Sequence, residues 1–222
     1  MNQCLFIVLF VLCFFADADS NINVTSFDKT DIGAWDTKVF SGETVYELVS
    51  LEGERVLKAS SHGSASGLAL KMRIDLLDTP YMSWRWRVSQ MLPKLNEQHK
   101  NGDDYAARIY VVIEKGFMGL KTKALNYVWS SSHNVGNVWD NAYVGSSVKM
   151  LSVRGSQSNV DTWYNEKRNV YKDLVDHFGD LGSIEKNIEA YRYIDVIAIM
   201  TDTDNSGAIA RSYYGDIYFG AQ

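Results

Sequence analysis

Apolar and polar residues alternate along most of the chain. The sharpest case is 81–88, YMSWRWRV, where Trp84, Trp86 and Val88 fall on one face and Arg85 and Arg87 on the other. Side chains that switch face at every residue describe a β-strand. Residues 44–49 and 55–59 read the same way and flank Glu52-Gly53-Glu54, a hairpin-like turn. Further short runs occur at 67–72, 125–129 and 148–153. Residues 105–113 (YAARIYVVI) and 193–200 (YIDVIAIM) are apolar on both faces, which marks central, fully covered strands. Residues 213–219 (YYGDIYF) close the chain as a last strand.

One stretch breaks the period of two. In 165–178, Val170, Tyr171, Leu174, Val175 and Phe178 form a single helical stripe, with Asp161 or Thr162 placed to cap its start and Gly179 to stop it. A second short helix fits 183–190. Strands and helices do not alternate, which argues against βαβ winding. The expected class is mainly all-β: a two-sheet antiparallel sandwich or jelly roll with one or two short helices. There is no fixed-period repeat and no low-complexity tract, so 21–222 reads as a single domain.

The N-terminal segment reads differently. Residues 4–15 (CLFIVLFVLCFF) are uncharged, and Ala16-Asp17-Ala18 matches a signal-peptidase pattern. A transmembrane helix needs roughly twenty apolar residues, so a cleaved secretory signal over 1–18 is the expectation, with no membrane span in the mature chain. An uncleaved anchor is the alternative, since the first three residues carry no Lys or Arg. Both cysteines, Cys4 and Cys13, lie in this segment. The remainder therefore holds no thiolate nucleophile, disulfide or Cys-ligated zinc.

The 222 residues carry a net charge of −5, with 46% hydrophobic and 22% charged residues. This excludes a disordered chain, and the absence of a basic stripe argues against a nucleic-acid partner. Candidate chemistry gathers near two acidic stretches. Gly102-Asp103-Asp104 leads into a strand that carries Arg108 deep in an apolar run. A buried guanidinium must be paired, as must Arg85 and Arg87 one strand earlier. From an ideal strand Asp103 and Asp104 would point to opposite faces. The cluster is either structural or a polar floor for an anionic or polyhydroxyl ligand, with arginines as the recognition element.

Asp202, Asp204, Ser206 and Gly207 fit the first half of a calcium loop, and Tyr213 stands where the second half wants a bidentate Glu. Either a Ca²⁺ ion or an Asx-rich turn accounts for them. Two long polar segments, 89–103 and 130–147, interrupt the strands, and loops of that length are often functional. In the second, Trp139 and Tyr143 stand with Asn141 and other amides, a combination suited to stacking on a sugar and holding its hydroxyls; the alternative is that these aromatics pin the loop to the body. His133 is the one histidine placed to act as a base. There is neither a nucleophile elbow nor a phosphate-binding glycine loop.

Five strings together, WRWRV at 84–88, GDDYAARIYVV at 102–112, NYVWSS at 126–131, IAIMTDTDNSG at 197–207 and the closing YYGDIYF, resemble an exported bacterial domain-of-unknown-function family, number 3047, over about 28–219. The resemblance implies a β-rich envelope protein, periplasmic or secreted, and brings no activity with it. The leading expectation is thus a non-catalytic module binding a saccharide or other polar ligand through Asp103, Asp104, Arg108, Arg85, Arg87, Trp139, Tyr143 and Asn141. One rival is a polysaccharide lyase or glycoside hydrolase, with Asp103, Asp104 or Asp202 as acid/base and Arg108 on a uronate carboxylate. Another is a structural envelope protein.

Overall fold

A computed structural model describes residues 21–29, 32–115 and 122–222; the segment read as a secretory signal lies outside them. The described residues form fourteen strands and two short helices, with seven strands in each of two sheets. The first sheet runs β1 (Ile22–Asn23), β14 (Tyr218–Gly220), β6 (Tyr81–Gln90), β13 (Ile209–Tyr214), β4 (Glu54–His62), β3 (Val45–Leu51), with β11 (Tyr164–Asn169) along the other edge of β6. The second runs β2 (Asp36–Ser41), β5 (Ala65–Asp75), β12 (Tyr193–Asp202), β7 (Ala107–Ile113), β8 (Lys123–Trp129), β10 (Gly145–Arg154), β9 (Val138–Asn141). Every pairing is antiparallel except β8 with β10. This is the mainly antiparallel sandwich expected from the alternation.

The inner faces follow from that same alternation. Trp84, Trp86 and Val88 point inward from β6 and are buried, while Arg85 and Arg87 point out. Opposite them stand Ile109 and Val111 of β7, Tyr127 and Trp129 of β8, and Ile197 and Ile199 of β12. Trp84 meets Trp86 edge-on at 5.5 Å, and the pair reaches across to Tyr127 at 5.3 Å and Trp129 at 5.9 Å. Each such ring removes about 150–250 Å² from water, so this aromatic seam is the main lock between the layers. The β3–β4 turn places Glu52 at φ 55 and Gly53 at φ 86, with Leu51 facing Glu54 in register. Two positive φ values give the primed two-residue turn that suits the twist of a hairpin.

The helix expected over 165–178 is shorter. Tyr164–Asn169 pairs with β6 from Trp86 to Tyr81 and is a strand. Helix α1 spans Val170–Phe178, and Asn169 caps it by accepting from Lys172 N at 2.9 Å. Asp161 sits at φ 57, which rules it out as an N-cap in extended backbone. Helix α2 (Ile184–Tyr191) is capped by Ser183. The single closing strand expected over 213–219 is two, β13 and β14, which share one edge of β6. No helix among the described residues is long and apolar enough to cross a membrane.

Candidate functional site

In β7, Ile109 and Val111 face the core, so Arg108, Tyr110 and Val112 face outward. Their register partners on β12 are Met200, Ala198 and Val196, and on β8 Val128, Asn126 and Ala124. The outer face of the second sheet is therefore built from these positions. At its upper end the entry to β7 and the exit of β12 lie side by side. Arg108 Nη2 donates to Asp202 Oδ2 at 2.8 Å, and the two side chains are 6% and 1% exposed. The guanidinium carbon lies 5.1 Å from the Tyr105 ring and 5.2 Å from the Tyr110 ring. Arg108 Nε is buried and has no hydrogen-bond partner among the described residues.

The two adjacent carboxylates do not sit in a strand. Residues 103–106 precede β7, and Asp103 has φ −78 and ψ 47, so the opposite-face expectation does not apply. Asp103 accepts from Tyr105 OH at 3.1 Å and Asn141 Nδ2 at 2.9 Å. Asp104 turns to the 204–206 loop, where it accepts from the backbone N–H of Asn205 (3.1 Å) and Ser206 (2.7 Å) and from Asn205 Nδ2 (3.2 Å). Asp104, Asp202 and Asp204 each bring one oxygen within 4.8 Å of the others. Two residues of the calcium reading, Asp202 and Asp204, are thus joined by Asp104. Ser206 takes the turn role instead, its hydroxyl accepting from Ala208 N at 3.3 Å.

Burial sets the electrostatics. It raises the Asp202 carboxyl well above the usual carboxylate range; Arg108 pulls it back, and Asp104, Asp103 and Asp204 push it further up. Burial likewise raises Asp103, against Arg108, and raises Asp204, with Asp104 adding to the shift. Burial also works against the charge on Arg108, but Asp202, Tyr110 and Asp103 outweigh it and keep the guanidinium ionised.

Beneath the acids lies a bed of hydroxyls. Thr201 Oγ1 donates to Ala106 O at 2.9 Å and meets Tyr214 OH at 2.8 Å. Thr44 Oγ1 donates to Thr201 O at 2.8 Å, and Ser61 links Ser64 (2.9 Å) to Thr203 (2.8 Å).

Met200 carries the site away from the acids. Its Sδ lies 3.1 Å from Arg108 Nη2 and 3.4 Å from Tyr110 OH. It also lines a trough of about 240 Å³ on the same outer face, with Phe40, Gly67, Ala69, Tyr110 and Ala198. The floor residues are small, and Phe40 stands 73% exposed at the rim.

The residues expected at the site divide into three groups. Asp103, Asp104, Arg108, Asp202 and Asp204 converge. Asn141 and Tyr143 join them: Asn141 through Asp103, and Tyr143 through hydrogen bonds from its hydroxyl to Asn205 and to Lys100 O. Trp139 is close by but differs from expectation. It lies on β9, is 7% exposed, and stacks on His133 at 4.2 Å and on Tyr105 at 6.5 Å. It pins the segment to the body, as the alternative reading had it. Arg85 and Arg87 lie on the other sheet: Arg85 pairs with Glu54, and Arg87 bridges Glu52 (2.7 Å) and Asp161 (2.9 Å).

Two features were not expected. Tyr110 and Met200 sit among apolar runs, and only their shared parity with Arg108 could have marked them. Glu97, in the first polar segment, is fully buried. It accepts from Ser130 Oγ (2.5 Å), Ser131 N (2.6 Å) and Ser131 Oγ (2.8 Å), and lies 3.0 Å from His133 Nδ1. Ser130 Oγ approaches that same nitrogen at 3.4 Å. A Ser–His–acid relay needs the two partners on different ring nitrogens, so His133 is a cross-link between loops here.

Comparison with known families decides the kinship. The family described as "Protein of unknown function (DUF3047)" matches residues 33–218. The chain belongs to it. No curated protein matches. Among solved structures, the DUF3047 chain is similar to a carbohydrate-binding module of the β-sandwich superfamily studied for promiscuous specificity (10% identity, TM-score 0.44, 86% of this chain and 59% of that one). The chain thus spans 59% of that protein's length. It is also similar to the low-affinity xylan-binding module CBM86 of Roseburia intestinalis (13%, 0.32, 90% and 93%) and to Trichoderma harzianum endoglucanase 3 of family GH12 (9%, 0.39, 85% and 98%).

Proposed function

We propose that this DUF3047 protein is a non-catalytic binding module that takes a saccharide, or a similar polyhydroxyl ligand, on the outer face of its second sheet. One observation carries the reading: the Arg108–Asp202 pair continues, through Met200 and Tyr110, into an aromatic-edged trough on the same face. A sugar has an apolar C–H face and a rim of hydroxyls. Tyr110 and Phe40 offer ring surface to the first, and Asp204 and Asn205, both partly exposed, offer polar groups to the second. Four carboxyls around one guanidinium disfavour an anionic sugar, so the uronate expected for Arg108 gives way to a neutral glycan.

The test is retention on a glycan array. Phe40→Ala with Tyr143→Ala, both at exposed positions, is expected to weaken retention about tenfold or more, roughly 1.4 kcal/mol, with the melting temperature unchanged. Absence of retention by any glycan, or retention indifferent to both changes, overturns the reading.

The raised carboxyls of Asp103 and Asp202 favour a second reading, a hydrolase or lyase with one of them as proton donor. Time-dependent release of reducing or unsaturated ends would support it. Export belongs to the proposal too: N-terminal sequencing of the protein from a bacterial periplasm or medium is expected to begin near Asp19.

A further inference from the structure

Arg85 faces a different surface, and that surface is built. On the outer face of the first sheet a groove of about 700 Å³ runs over Ser83 and Arg85 of β6, Asn165 and Lys167 of β11, Glu54 and Tyr218. The register makes these neighbours: Ser83 lies opposite Lys167 on one side and Tyr218 on the other, and Arg85 lies opposite Asn165. Small polar side chains form the floor, longer ones the walls.

Arg85 is held in three ways. It lies across Gly215, where a Cβ would come within 2.5 Å of its Cγ and Nε. It pairs with Glu54. Its guanidinium carbon rests 4.8 Å from the Trp163 ring centroid, and the Trp163 indole donates to Glu52 Oε2 at 3.1 Å. The side chain nonetheless remains 31% exposed. A fork fixed in place but open to solvent loses little freedom when it binds.

The ligand class follows from charge and shape. Arg55, Arg85 and Lys167 stand with Asp28, Glu54, Glu166 and Asp216 around this groove; Glu166 is already neutralised by Arg154 and accepts from Trp86 Nε1, so three charges of each sign remain and neither a cation nor an anion gains from the local field. Tyr218, 43% exposed, supplies ring surface beside the polar floor. The volume falls within the range of sites that hold drug-sized molecules. We infer that this groove is a second saccharide site, taking a neutral oligosaccharide segment on the side of the sandwich opposite the Arg108 face.

The experiment is affinity electrophoresis of the full chain through gels containing barley β-glucan, birchwood xylan or glycol chitin, with isothermal titration for stoichiometry using an oligosaccharide of whichever polymer retards it. One variant, Tyr218→Ala with Lys167→Ala, alters the first sheet. Another, Phe40→Ala with Tyr143→Ala, alters the second. Melting curves confirm that both fold. Expected are two sites per chain, a rise of about tenfold in dissociation constant at one of them in each variant, and no retardation when all four changes are combined. Migration of the Tyr218/Lys167 variant indistinguishable from wild type overturns the inference and leaves the second-sheet site standing. Retardation lost in that variant but untouched in the Phe40/Tyr143 variant does the reverse. A wild-type chain retarded by none of the three polymers overturns both.

Discussion

Arg87 and Arg108 occupy equivalent places in the two layers: each points outward from a central strand and meets a carboxylate. The outcomes differ because of what lies over them. On the first sheet, Arg87 bridges Glu52 and Asp161, which are 59% and 55% exposed. On the second, a satellite cluster of Tyr105, Val128, Trp139 and Met150 covers the sheet, and the Arg108–Asp202 pair is nearly excluded from water. Arg87 itself is 15% exposed, so the comparison separates a guanidinium whose counter-ions stand in water from one whose counter-ion is buried with it.

Four measurements sharpen that contrast, the largest effect first. Asp202→Ala strands a buried positive charge and is expected to cost about 3–5 kcal/mol in urea unfolding at neutral pH. Asp104→Ala removes a charged acceptor from three N–H donors of the 205–206 loop and is expected to cost about 2–3 kcal/mol by the same assay; addition of Ca²⁺ tests the metal reading, since wild type gains melting temperature and this variant does not if the ion binds there. A double-mutant cycle of Arg87→Ala and Asp161→Ala should return a coupling of only about 0.2–1 kcal/mol, falling with salt.

The smallest difference lies in titration. Burial raises Asp103 and Asp204, so the folded state holds their protons more tightly than the unfolded chain; their contribution is fully present below the ordinary carboxylate pKa and is lost as pH rises through the raised values. Asp75 has the opposite sign. Its hydrogen bond from Arg192 lowers it, so its contribution is present above the ordinary value and lost as pH falls through the lowered one. Carboxyl NMR titration should show Asp103 midway at a higher pH than Asp75, and coincident midpoints would remove the distinction.

What the sequence disclosed was local. The WRWRV alternation told which residues of β6 meet the core, because one covered face imposes a period of two. It could not tell that β11 would lie along β6. Tyr164–Asn169 runs straight into a helical stripe, and only the pairing partner, far upstream, makes it extended. The convergence of Asp104 with the 202–206 stretch was within reach, since adjacent apolar strands bring their ends together. Glu97 was not: nothing in its neighbourhood distinguishes it from a solvated loop acid, and its burial is decided by Ser130, Ser131 and His133 from another loop. Trp139 is a related case, read as loop because its strand is four residues long and stands at a sheet edge.

The hydroxyl bed under the acids has a consequence for acidified surroundings. Threonine and serine neither gain nor release protons over the range in which carboxyls titrate. Mild acid would therefore discharge the rim of the Arg108 face, while the footing that joins β4, β12 and β13 below it stays intact.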